Sequence, residues 1–118
     1  VVYAGESYTR TPVTSDKTII LQSLKSVEFD DSIIADGTGI GVGLATAINR
    51  IKDSKAKSRI IILLTDGVNN SGTIDPRTAA EIAKEYGIKV YTIGIGTNGG
   101  DEGDVYSFAV SISKIFFA

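Results

Sequence analysis

No cysteine and no histidine occur among the 118 residues. Without cysteine there is no disulfide, no thiolate metal site and no thiol redox chemistry, and the compartment is left open. Without histidine the chain lacks the commonest general base near neutral pH and the commonest zinc ligand. Any metal ion must then be held by oxygen, which favours Mg²⁺, Mn²⁺ or Ca²⁺. Positive charge is scarce as well. Twelve Lys and Arg against fourteen Asp and Glu leave a net charge of −2, which argues against nucleic acid, because a phosphate backbone needs a basic footprint. No apolar run approaches the roughly 18 residues of a membrane-spanning helix, and no signal peptide is visible. There is no initiator Met; the chain starts at Val1-Val2-Tyr3, in what reads as mid-strand. It is therefore read as an N-terminally truncated fragment of something longer.

What is present fits one small α/β domain over residues 1–118. A hydrophobic share of 42% beside 22% charged is ordinary for a globular chain. Thirteen glycines is high, and seven of them fall in two clusters, at 37–43 and 94–99, so they mark loops rather than low complexity.

Two short strands, Val1 to Ser7 and Tyr8 to Val13, meet around Gly5-Glu6-Ser7, and Pro12 confines the second to an edge. Thr14 or Ser15 is placed to cap a helix over about 16–27, with Ile20, Leu24 and Val27 on one face. Residues 28–37 read as an acidic loop. A helix over about 40–52 buries Ile40, Leu44, Ile48 and Ile51. The apolar run Ile60 to Leu64 reads as a strand over 59–64 buried on both faces, the mark of a parallel sheet between helices. Asp75-Pro76 starts the next helix, Ala79, Ile82, Ala83 and Tyr86 form its apolar stripe, and Gly87 ends it. A strand over Ile88 to Ile95 completes a right-handed βαβ unit. Asn98 to Asp104 reads as an acidic loop, and the tail Val105–Ala118 fits helix and strand patterns equally. The implied architecture is Rossmann-like and doubly wound, a mostly parallel sheet with one antiparallel edge strand.

The chemistry gathers at Thr65-Asp66-Gly67, where the apolar strand ends, and at Asp36-Gly37-Thr38-Gly39, which opens the helix before it. In open α/β sheets ligands bind at the carboxyl ends of strands. Asp66 offers an anionic oxygen and Thr38 a neutral one, hard donors for a hard cation, while Gly37, Gly39, Gly41 and Gly43 would let the backbone approach a ligand and take up positive φ. Weighed against this, Asp66 can serve as a turn carboxylate before Gly67, and Thr38 as an N-cap hydroxyl. Gly37, Gly67, Asn69 and Asn70 would form the rim that a partner touches, although the two asparagines also suit a plain turn.

These residues resemble a von Willebrand factor A domain. Val2-Tyr-Ala-Gly-Glu-Ser-Tyr8, Gly41-Val-Gly-Leu-Ala-Thr-Ala47 and Leu64-Thr-Asp-Gly-Val-Asn-Asn70 are similar to bacterial aerotolerance-type (Bat) membrane proteins. The resemblance covers about residues 1–97. It implies a metal-ion-dependent adhesion site built from Asp-x-Ser-x-Ser, a Thr and an Asp, with Thr38 and Asp66 as the second and third parts. It also implies Mg²⁺ (or Mn²⁺ or Ca²⁺), a protein partner whose acidic side chain completes the ion's shell, a tether to a bacterial inner membrane by flanking helices, and a MoxR-type ATPase in the same system. No Asp-x-Ser-x-Ser occurs here; Ala109-Val-Ser111-Ile-Ser113 has the serine spacing with Ala in place of Asp. Without that motif, which the resemblance places upstream of Val1, the ion would be held weakly or not at all. The strand between the first strand and 59–64 would be missing too.

No residue is assigned a catalytic role, since no Cys, His or Lys stands beside Thr38 and Asp66 as nucleophile or base; the leading reading is a non-enzymatic binding module. The alternative is a Mg²⁺-dependent phosphoryl-transfer or receiver-type domain with Asp66 as acceptor, which wants a Lys at the end of a later strand where this chain has Gly94-Ile-Gly-Thr97. Gly94 to Gly99 matches G-x-G-x-x-G after a strand, but Asp101, Glu102 and Asp104 follow in place of an apolar helix, so no nucleotide cofactor is assigned. Those acids lack the spacing of a Ca²⁺ loop and read as a solvated loop.

Overall fold

The fold is taken from a computed structural model of the chain, which describes residues 1–26, 38–65 and 73–94. Within these residues the order is β1 (Val2–Tyr3), β2 (Ser7–Tyr8), α1 (Lys17–Lys25), α2 (Ile40–Ile51), β3 (Ile60–Thr65), α3 (Pro76–Glu85) and β4 (Lys89–Gly94). β1 and β2 pair antiparallel, and β3 and β4 pair parallel in the register Ile60↔Lys89 to Thr65↔Gly94. The α/β class and the β3–α3–β4 unit therefore stand as the sequence implies. The acidic loop 28–37 and the loop and tail 98–118 lie outside the described residues.

Local chemistry explains most boundaries. Asp16 caps α1, its carboxylate accepting from the N–H groups of Thr18 at 2.9 Å and Ile19 at 3.3 Å. Neither Thr14 nor Ser15 does this; the Thr14 hydroxyl accepts from the Asp16 N–H instead, at 3.1 Å. Asp75 caps α3 through the Arg77 N–H at 2.8 Å, with Pro76 in the first turn, where a missing N–H costs nothing. Gly87 follows α3 at φ 70°, the only positive φ among the described residues. The two N-terminal strands are shorter than the sequence implies, and Pro12 falls beyond both.

The core is one cluster. Ile40, Leu44 and Ile48 from α2 meet Ile61 and Leu63 from β3, Ala79, Ala80 and Ala83 from α3, and Ile88 and Val90. At about 1.5–3 kcal/mol for each large apolar side chain buried, this cluster is the main favourable term in the fold. Three alanines on α3 keep that helix close to α2. The predicted α3 stripe is corrected: Ile82 and Tyr86 are exposed, and Ala80 is buried beside Ala79 and Ala83 in their place. Ile20 and Leu24 of α1 are exposed as well.

The reading of β3 as buried on both faces is also corrected. Burial alternates along it: Ile61, Leu63 and Thr65 lie beneath the helices, whereas Ile60, Ile62 and Leu64 are 48%, 67% and 53% exposed. Tyr91 and Ile93, their neighbours on β4, are exposed beside them. Among the described residues, α2 and α3 cover a single face of this sheet.

Arg59, just ahead of β3, donates to the Lys52 and Tyr86 carbonyls, the C-cap residues of α2 and α3. One guanidinium thus satisfies carbonyls that two helix ends leave without intrahelical partners. Lys52 adds its ammonium 5.9 Å from the Tyr86 ring centre. Arg59→Ala is expected to lower stability by about 2 kcal/mol, because two charge-assisted bonds are lost. Arg59→Lys recovers little of it, since one ammonium lacks the planar fork. Urea unfolding of the three proteins measures both effects.

Candidate functional site

Two hydrogen bonds build the rim where the sequence places its site. The Gly39 N–H donates to the Ala4 carbonyl at 2.5 Å, and the Tyr3 hydroxyl donates to the Leu64 carbonyl at 2.8 Å. Tyr3 and Ala4 are neighbours at the end of β1. One short stretch of chain therefore touches the residue after Thr38 and a residue two before Asp66. The start of α2 and the carboxyl end of β3 are thereby drawn to the same side of the molecule.

Thr38 is half-buried at that rim. The N-cap position of α2 falls on Gly39, one residue after Thr38. The amide end of α2 carries partial positive charge toward the rim. Thr65, next to Asp66, is 5% exposed and is the buried polar side chain among the described residues. No buried side-chain nitrogen or oxygen among them lacks a hydrogen-bond partner. Asp66 itself, with Gly37, Gly67, Asn69 and Asn70, lies outside the described residues.

The positive φ expected of the glycines before and within α2 is corrected at the three that are described. Gly39, Gly41 and Gly43 all keep negative φ. A Cβ on Gly41 would stand 1.9 Å from the Ile74 carbonyl oxygen, and one on Gly43 would stand 2.7 Å from Cγ of Tyr3. They bring α2 against the segment that enters α3 and against the Tyr3 ring. The close approach at these three positions is to the protein's own backbone and side chains.

For an ion, the donors this rim offers are oxygens, matching a hard cation. No three Asp or Glu side chains gather to hold a metal among the described residues. Tyr3 and Thr65 escaped the sequence reading. A Tyr ending a two-residue strand carries no motif, and beside Thr65 the carboxylate of Asp66 is the stronger chemical signal in the sequence.

The family model for the von Willebrand factor type A domain matches residues 1–117, and the chain belongs to that family. Within it, the resemblance to aerotolerance-type proteins holds. An aerotolerance-related membrane protein from Bacteroides fragilis superposes with a TM-score of 0.75 at 25% identity over 96% of this chain and 64% of that one. The conserved hypothetical protein BatB of Bacteroides thetaiotaomicron superposes at 0.74 with 28% identity, over 96% of this chain and 63% of that one. Among curated relatives, an uncharacterized protein of Borreliella burgdorferi is 32% identical over 98 residues, 83% of this chain. A UPF0353 protein of Mycolicibacterium paratuberculosis is 33% identical over 126 residues, 96% of this chain. The chain spans 28% and 37% of the lengths of those two relatives. No helix among the described residues is long and apolar enough to cross a membrane.

If the Tyr3 hydroxyl ties the rim together, Tyr3→Phe removes that bond while keeping the ring on Gly43. The expected cost is about 1 kcal/mol in urea unfolding. Faster hydrogen exchange should accompany it at the carboxyl end of β3 and at Gly39, whereas an effect confined to β2 would contradict the link.

Proposed function

We propose that the chain is a metal-dependent protein–protein interaction module of a bacterial membrane-associated protein, and not an enzyme. The observation that carries this reading is the Tyr3–Ala4 link, which draws the helix start beside Thr38 and the strand end beside Asp66 to one rim. Membership of the von Willebrand factor type A family supports it further.

In this reading the Thr38 hydroxyl and the Asp66 carboxylate hold Mg²⁺ or Mn²⁺, with water on the remaining positions. The bound ion supplies Lewis acidity toward a carboxylate. The chain itself contributes two oxygens of different charge, a helix amide end that orients water, and a rim of Gly37, Gly67, Asn69 and Asn70 for the partner to meet. A single anionic ligand leaves the ion with net positive charge, so an acidic side chain from a partner protein completes it. The domain works as the soluble part of a protein anchored in a bacterial inner membrane, beside a MoxR-type ATPase.

The receiver-type alternative finds less support. Catalysis there needs a lysine at the rim, and the lysine of β4, Lys89, pairs with Ile60 at the opposite end of the sheet.

The test is Mn²⁺ titrated into the chain and followed by water-proton relaxation, which detects weak binding. Asp66→Ala is expected to lower the affinity at least about tenfold, the loss of an anionic ligand, and Thr38→Ala by less. Equal Mn²⁺ binding by the chain and by Asp66→Ala would refute the assignment.

A further inference from the structure

A groove of about 630 Å³ lies along α2, running from the hairpin turn beside Gly39 toward Arg50. Its floor is one helical face, Val42, Ala45, Thr46 and Asn49, spaced i, i+3, i+4 and i+7. From Val42 to Asn49 that floor is about 10 Å long at ~1.5 Å per residue, the length of three extended residues at ~3.3 Å each.

One wall is the β1–β2 hairpin, and its side chains fix it to the helix. The Ser7 hydroxyl lies 3.1 Å from the Val42 carbonyl, to which it donates, and 2.6 Å from the Thr46 hydroxyl. Two residues on, the Thr9 hydroxyl accepts from Arg50 Nε at 2.7 Å. The strand therefore runs alongside the helix, with the hairpin turn near Gly39 and Arg50 at the far end. Thr73 and Ile74, leading into α3, form the other wall.

The charges sit at opposite ends. Glu6 is at the turn and Arg50 at the far end, and no other charged side chain lines the groove among the described residues. Arg50 is held through Nε alone, which leaves its two terminal nitrogens without a partner among the described residues and available for a carboxylate. No hydrogen bond or ion pair engages the Glu6 carboxylate among the described residues. Small side chains on the floor leave room for a backbone to lie close.

We propose that this groove seats an extended segment of a partner polypeptide. About three small residues cross the α2 floor, with an acidic side chain on Arg50 and a basic one at Glu6. This docking is independent of the cation. It gives the module a second contact that orients a partner along α2.

The probe is the blocked peptide acetyl-Lys-Ala-Ser-Ala-Glu-amide, compared with uncharged acetyl-Ala-Ala-Ser-Ala-Ala-amide. Both are titrated into the ¹⁵N-labelled chain in EDTA. Saturable amide shifts are expected at Val42, Ala45, Thr46 and Asn49, with the charged peptide about fivefold tighter, the scale of two exposed ion pairs. Arg50→Gln should erase most of that preference, and Ala45→Leu, which fills the floor while favouring helix, should weaken both peptides. Far-UV circular dichroism checks that each variant folds. Asp66→Ala should leave the peptide shifts unchanged whether or not that residue binds an ion, so the two readings fail separately. Absent or scattered shifts, an undiminished charge preference in Arg50→Gln, or full binding by Ala45→Leu would each overturn the proposal.

Discussion

The described structure depends on how closely α2 can approach its neighbours. At Gly41 the helix backbone lies so near Ile74 that a Cβ would stand 1.9 Å from its carbonyl oxygen, and at Gly43 it rests on the Tyr3 ring. Two interior glycines cost a helix roughly 1 kcal/mol each relative to alanine. Burial of Ile40, Leu44 and Ile48 on the same helix outweighs that cost. The gain is position. α2 touches α3, both strands of the hairpin and β3, so one helix joins two separate strand pairs.

The rim follows from that position. Because Gly43 lets Tyr3 lie close against α2, the Tyr3 hydroxyl can reach the Leu64 carbonyl, and Ala4 next to it can accept from Gly39. A substitution that pushes α2 outward would therefore move Thr38 relative to the end of β3 as well as weaken the core. Arg59 acts at the other end of the same helix, tying its last carbonyl to that of α3. Packing at both ends of α2 sets where Thr38 stands relative to the end of β3, and the hairpin that packs there also walls the groove beside it.

Much of this was legible in the residues, for physical reasons that can be named. The i, i+4, i+8 spacing of Ile40, Leu44 and Ile48 allows one buried face, and Asp75-Pro76 followed by Gly87 bounds α3 by capping chemistry. The family resemblance rested on motifs around Thr38 and Asp66, and the von Willebrand factor type A match bears it out. The misreadings share a cause, which is that tertiary contacts decide between locally equivalent options. Ile60, Ile62 and Leu64 are as apolar as Ile61 and Leu63, and only the placement of the helices tells the two sets apart. A glycine shows its tolerance for close approach but not what approaches, so Gly41 and Gly43 read equally well as ligand contacts or packing contacts. The Tyr3 link joins residues 61 positions apart, beyond any local pattern.

The account's central claim is that Thr38 and Asp66 face one ion from two elements. Paramagnetic line broadening by trace Mn²⁺ in the ¹⁵N-labelled chain tests it most directly. The account predicts that amides at 38–40 and at 65–67 broaden together, ahead of all others, and recover with EDTA. Broadening that begins at Asp101, Glu102 and Asp104, or that reaches one of the two elements without the other, would contradict it.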